Sequence, residues 1–256
     1  MKLYQAQFST DLDCPGSPAP VRSVLIASTP RCGSHMLGHA MTTTGLLGVP
    51  FEYANRANLA EWKRRLGTAT AEATLAGVMA RRTTPNGVFG IKAHFEQCAT
   101  FGGPAGLFAA LPGLRVVHLR RADVLRQAVS YAVAKQTGVW IRGQEAAADR
   151  ARYDADLIAW CLDDIALQNA NWASAFAEAG IEPLNLYYEE VAGNLPAAVA
   201  AVVRFVGVMP DDGLIEVETV TERQGEAGRV GDWLARYASD RREPERRGLL
   251  RGLLGV

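Results

Sequence analysis

The stretch IASTPRCGSHML, residues 26–37, decides how this chain is read. An apolar run, Val24 to Ala27, ends in the loop Thr29-Pro30-Arg31-Cys32-Gly33-Ser34. Gly33-Ser34 then leads into a helical pattern that runs to about Thr44 and is closed by Gly45. A buried strand, a short loop and a helix in that order make an anion site. The first backbone N–H groups of the helix point outward unpaired, and the helix dipole adds partial positive charge. Gly33 lets backbone approach an oxyanion closely, Ser34 offers a hydroxyl, and Arg31 supplies full charge.

The rest of the composition says that such a site must be local. The chain has 256 residues, enough for one large domain or two small ones. Lys+Arg and Asp+Glu are 27 each, so no global field draws in nucleic acid or an anionic membrane. The lysines are Lys2, Lys63, Lys92 and Lys135, and the other basic residues are arginines. Arginine suits bidentate phosphate binding, although genome composition explains the bias as well. Cys14, Cys32, Cys98 and Cys161 form no C-x-x-C pair and no metal-ligand spacing, so they read as free thiols in a reducing compartment. No apolar run approaches the length of a membrane span, and residues 1–20 lack the pattern of a signal peptide. The expectation is a cytoplasmic protein without a nucleic-acid partner.

Outward from the opening stretch, strands alternate with helices. Residues 1–20, polar and proline-dotted, are expected to be a loosely ordered tail, and 21–256 a single domain. Residues 58–82 have a helical pattern. An Asn86-Gly87 turn precedes a strand through Lys92. The segment LRVVHLRR is a strand followed by an amphipathic helix over 122–136, and 151–179 is one long Ala-rich helix or two. The segment IEPLNLYYEE is a further strand, 196–206 a largely apolar helix, and a last helix falls near 230–238. Short, continuously apolar strands between helices predict an α/β fold, with a central, mostly parallel sheet flanked by helices on both faces.

The loop fails the patterns of its better-known rivals. A Walker A loop needs G-x-x-x-x-G-K-[ST], but Gly33 is followed by Ser34-His35. A dinucleotide fingerprint needs G-x-G-x-x-G, and a cysteine phosphatase needs Arg six residues after Cys32, where Gly38 stands. What Thr29-Pro30-Arg31-Cys32-Gly33-Ser34 resembles is the phosphosulfate loop of sulfotransferases. A second segment, VVHLRRADVLRQAVSYA, supplies Arg121, Asp123, Ser130 and Tyr131 after a strand. Cytosolic sulfotransferases space these groups differently. The run Arg121-Ala122-Asp123 through Gln127-Ala128-Val129-Ser130 is similar instead to the bacterial trehalose-sulfotransferase type, the Stf0 family. TPNGVFGIK, KQTGVW, ERQ at 222–224 and VPFEY resemble that family too, so the likeness covers most of 23–237.

The resemblance implies a sulfonyl donor, 3′-phosphoadenosine 5′-phosphosulfate, a carbohydrate or glycolipid acceptor (a trehalose-like sugar among them), a homodimer and no metal. Thr29, Pro30, Arg31, Cys32, Gly33 and Ser34 would hold the 5′ end of the donor, and Arg121 and Ser130 the 3′-phosphate. Arg223 and Arg229, near Gln224, would lie on a C-terminal loop over it. For Ser130 alone, a surface hydroxyl bonded to its own backbone is the plainer reading. The acceptor hydroxyl needs a base. Glu52 matches the family's proposed catalytic glutamate, and in a partly dry cleft its pKa is expected to rise toward the working pH. A solvated loop acid is the plainer alternative. His94 is the rival: Lys92-Ala93-His94 resembles the K-T-H of cytosolic members, although the trehalose type carries no His there. Lys92 would assist the bridging oxygen, or else be an ion-paired strand end. Glu52 is the preferred base. His35 and His39 have metal-ligand spacing but no third ligand nearby. Trp140 offers a stacking face or fills the core. A nucleotide kinase and a non-catalytic nucleotide-binding module are the alternatives to a sulfotransferase, and segments 53–85 and 136–156 show no readable acceptor code.

Overall fold

The computed structural model describes residues 4–140, 151–209, 213, 215–218 and 228–240. The apolar run before the loop is strand β1 (Arg22–Ser28), buried from Ser23 onward. It pairs in parallel with β2 (Val88–His94) and with β3 (Leu114–Arg120), and β3 pairs with β4 (Leu184–Tyr187). The sheet has four strands in the order β2-β1-β3-β4. Parallel neighbours require crossovers, and helices supply them: α1 (Ser34–Thr43), α2 (Arg56–Leu66) and α3 (Ala71–Arg82) lie in the chain between β1 and β2. Period-2 alternation divides the core. Leu25 and Ala27 pack with Phe89, Ile91 and Val116 under α2 and α3. Val24 and Ile26 pack on the other face with residues of α1, α7 (Tyr188–Gly193) and α8 (Leu195–Val206).

Helix boundaries follow local chemistry. The helical pattern over 58–82 is two helices, because Gly67 ends α2 in the left-handed region at φ 66° and the Thr70 side chain caps α3. The Ala-rich segment is one unbroken helix, α6 (Ala155–Ala179), after α5 (Val124–Thr137). Strand β4 stops at Tyr187, and the next residue opens α7. The short α4 (Pro104–Ala109) has no counterpart in the sequence reading, and residues 228–240 are helical. No described helix is long and apolar enough to cross a membrane.

The N-terminal residues differ from the loose tail expected of them. Gln5–Phe8 and Thr10–Leu12 form 3-10 turns, and Phe8 is buried in the core. The cause is Arg82, fully buried on α3. A buried guanidinium needs acceptors. Arg82 Nη2 donates to the Ser9 carbonyl at 2.8 Å, and Nε is paired with Asp13 Oδ1 at 3.0 Å. Contacts divide the chain into two compact units, Met1–Ala122 with Ile165–Glu222, and Asp123–Asp164 with Arg223–Val256.

Candidate active site

The loop after β1 is held from behind. Trp172 Nε1 donates to the Ser28 carbonyl at 3.0 Å, securing the strand end. Beyond it, Arg31 (φ 66°) and Gly33 (φ 90°) both adopt the left-handed region. For a residue with a side chain that geometry costs roughly 1–2 kcal/mol, a strain that gathers at functional sites. Gly33 stands at the N-cap of α1 and brings no side chain to cover the first-turn N–H groups. Thr29 and Cys32 are fully buried and Ser34 nearly so. The Cys32 thiol therefore packs in the core, where burial pushes its pKa up. Of the residues expected to touch a donor, Cys32 has only its backbone to offer.

Arg121 reaches this loop from the end of β3. Its Nη1 donates to the Arg31 carbonyl at 3.4 Å, and its guanidinium lies over the Tyr188 ring, 4.5 Å from the centroid. Nε stands 3.7 Å from Glu189 Oε1, while Glu189 Oε2 accepts the Ala122 N–H at 3.0 Å. The same Tyr188 ring occupies the space where a Cβ on Gly33 would stand. The chain just beyond β1, β3 and β4 thus meets at the carboxyl edge of the sheet, where ligands bind in parallel α/β folds. Tyr188 and Glu189 were read from sequence only as the end of a strand. Their signal was an aromatic-acidic pair just past an apolar run.

Ser130 lies on α5 and Arg229 in the helical stretch 228–240, both in the second unit. Trp140, in that unit, packs beside Tyr131 at 6.0 Å between ring centroids. Arg223 and Gln224 lie outside the described residues.

Glu52 is brought to β2 by a backbone contact. Gly48 (φ 71°) runs against Gly90 so closely that neither position has room for a Cβ. The chain after it bridges to β2 at Phe51 and Ile91, with the Lys92 N–H donating to the Phe51 carbonyl at 3.0 Å. Glu52 then meets Lys92, whose Nζ donates to Oε1 at 2.7 Å; the Lys92 side chain is 6% exposed and that of Glu52 22%. Gln97 Nε2 donates to the other oxygen at 3.0 Å, while its Oε1 accepts the His94 N–H at 3.2 Å. His94 Nε2 stands 3.8 Å from Glu52 Oε1, and its Nδ1 is 3.1 Å from Ser28 Oγ. Gln97 went unrecognised from sequence, because it belongs to no motif.

Electrostatics here run opposite to the sequence expectation for Glu52. Burial alone would raise its pKa. The Lys92 and His94 charges and the hydrogen bonds from Lys92 and Gln97 outweigh burial and hold the carboxyl well below its ordinary range. His35 is pushed down to about 2, first by burial and then by Lys92 and His39, so its imidazole is neutral. The His35 and His39 rings meet at 4.2 Å and pack against Tyr4 and Phe51.

A loop with left-handed Arg31 and Gly33, an arginine reaching it from a neighbouring strand, and a lysine-carboxylate pair all stand on one parallel sheet. Residues 23–240 match the family described as Stf0 sulphotransferase. The chain belongs to that family and is a sulfotransferase. It is 32% identical to a trehalose 2-sulfotransferase of Mycobacterium tuberculosis over 262 residues, 86% of this chain and 96% of that one. The trehalose 2-sulfotransferase of Mycolicibacterium smegmatis is 29% identical over 266 residues, 88% and 96% of the respective chains. Among solved structures, a sulfotransferase from Alicyclobacillus acidocaldarius shares the fold at a TM-score of 0.50 and 15% identity, over 88% of this chain and 93% of that one. Family membership displaces the kinase and non-catalytic alternatives.

Proposed function

We propose that this sulfotransferase moves the sulfonyl group of 3′-phosphoadenosine 5′-phosphosulfate to a hydroxyl of a carbohydrate or glycolipid, trehalose-like sugars among them, with Glu52 accepting the hydroxyl proton. The observation that carries the reading is the 2.7 Å Lys92–Glu52 pair on the same sheet edge as the Arg31–Ser34 loop. The acceptor oxygen forms a bond to sulfur as the bond from sulfur to the bridging oxygen breaks. The proton passes to a Glu52 oxygen, and the electron pair stays on the departing phosphate. Charge on that phosphate is met by Arg31, by the N–H groups at Gly33 and Ser34, and by Lys92. A carboxylate of low pKa is a weak base, but the acceptor oxygen grows acidic as it bonds to sulfur, so the proton leaves late. Protonating Glu52 also frees the Lys92 ammonium from its ion pair as leaving-group charge develops.

Arg121, with Ser130, is assigned to the 3′-phosphate, where a guanidinium fork suits a phosphate. Arg223 and Arg229 are assigned to the donor as well, although Arg229 lies in the helical stretch 228–240 and not on the loop expected from sequence. His94 is the second reading for the base, because its Nε2 faces the same carboxylate oxygen at 3.8 Å. A cytoplasmic location, in keeping with four free cysteines, and a homodimer belong to the proposal. Sedimentation giving a monomer at micromolar concentration, with and without nucleotide, would refute the dimer. The activity is tested by incubating the protein with the donor and a panel of sugars and glycolipids. Mass spectrometry should show one sulfonate added to a sugar acceptor; donor left unconsumed across the panel overturns the reading.

A further inference from the structure

The span matched to the family begins at residue 23, so the N-terminal turns lie outside it. They nevertheless reach the loop that carries Glu52. Gln7 Nε2 donates to Asn58 Oδ1 at 3.1 Å, and both side chains are buried, at 3% and 8% exposure. Asn58 Nδ2 in turn donates to the Glu52 carbonyl oxygen at 3.1 Å. An asparagine amide presents an acceptor on one side and donors on the other. The Glu52 carbonyl can only accept, so it requires the Nδ2 side. Gln7 satisfies the oxygen left facing away, and with it the amide has one stable orientation. The backbone N–H of Asn58 donates to Asn55 Oδ1 at 3.3 Å, and Asn55 Nδ2 lies 3.5 Å from Glu52 Oε2.

The rest of the segment is anchored on either side of Gln7. Arg65 Nη1 donates to the Phe8 carbonyl at 3.2 Å, and Arg82 Nη2 to that of Ser9 at 2.8 Å. On the other side, the Tyr4 ring packs against Phe51, the residue before Glu52, with centroids 6.1 Å apart. We propose that the N-terminal segment is a positioning element of the active site, in which Gln7 acts through Asn58 to hold the Glu52 backbone where its carboxylate meets Lys92. Gln7 is a positioning residue and touches no reacting atom. The inference rests on Glu52 being the base.

The test is a mutant cycle on the full-length protein with the sulfonyl donor and a sugar that it sulfonates, reading kcat, donor KM and melting temperature. Gln7→Met keeps the shape and removes the donor. It should lower kcat at least ~10-fold, the scale of a small misplacement of a reacting group, with donor KM little changed. The melting temperature should fall by a few degrees, because the buried Asn58 oxygen loses its partner. In a Glu52→Gln background the same substitution should leave kcat unchanged, since its effect on rate passes through the carboxylate, while the melting temperature falls as before. Gln7→Asn withdraws the amide by one methylene and carries the same reading should Gln7→Met not fold. If Glu52→Gln alone keeps normal turnover, the base assignment fails and the positioning role fails with it. If Glu52→Gln is slow while the Gln7 variants turn over normally, only the positioning role is overturned. An equal loss in both backgrounds places the action of Gln7 elsewhere and also overturns it.

Discussion

Lys92 Nζ and Glu52 Oε1 stand 2.7 Å apart, although the residues are 40 positions distant in the chain. The pair exists because Gly48 and Gly90 allow two backbones to touch, which carries Phe51 and then Glu52 alongside β2. Its consequence is a carboxylate that is ionised throughout the neutral range and a cation released when that carboxylate takes a proton.

Glu52→Gln should lower turnover by about 10²–10³, the scale of general-base loss. Affinity for 3′-phosphoadenosine 5′-phosphate should hardly move, and His94→Ala should cost much less. With Glu52 as base, turnover should hold as pH falls from about 7.5 to about 5, because its carboxyl stays ionised across that range. Near-normal turnover in Glu52→Gln sinks the assignment.

Stability carries the same pair in its pH dependence. The folded-state pKa of Glu52 is depressed, so its contribution is present above the unfolded value, about 4.3, and is lost as pH falls from there toward the folded value. In urea titrations the midpoint of the natural protein should exceed that of Glu52→Gln near neutrality. The gap should narrow as pH drops below about 4.3. A gap constant down to the acid limit would show that Lys92 does not stabilise the ionised form.

Arg121 rests on the Tyr188 ring, and its fork is expected to grip the 3′-phosphate. Calorimetry should show adenosine 5′-phosphate binding at least ~10-fold more weakly than 3′-phosphoadenosine 5′-phosphate, about 1.4 kcal/mol. Tyr188→Ala should erase much of that difference, and Tyr188→Phe, which keeps the ring, should preserve it. Equal affinity of the natural protein for both nucleotides would remove Arg121 from the donor site.

Gly33→Ala meets two obstacles, the left-handed backbone and the Tyr188 ring. The backbone alone should cost roughly 1–2 kcal/mol, and the ring clash should add to it. Melting curves should therefore show a larger loss for Gly33→Ala in the natural background than in Tyr188→Ala, where only the backbone cost remains. Equal losses in both would mean that the ring yields without resistance.

Strand β1, the loop and α1 were legible because everything they need is contiguous. An apolar run, a Gly-Ser helix start and an arginine between them make a candidate anion site within a dozen residues, and strand-helix alternation predicts a parallel sheet. Arg121 was named through the resemblance of its segment to the family, helped by its place just past an apolar strand. Glu52, Lys92 and His94 could each be named as candidates, but not as a cluster. The direction of the Glu52 pKa was misread because burial is visible in a sequence pattern while an ammonium 2.7 Å away is not. Gln97, 45 positions from Glu52, and Gln7, 51 positions from Asn58, follow no spacing rule at all. The tail read as loose because its composition is polar; Arg82, buried far along the chain, made it ordered by requiring its carbonyls. Periodicity and capping act over a few residues, so sequence alone determined the elements and the strand-loop-helix unit of β1 and α1. Which side chains meet at the sheet edge was decided by parallel register and by backbone contacts such as Gly48 with Gly90, and these exist only once distant segments have packed.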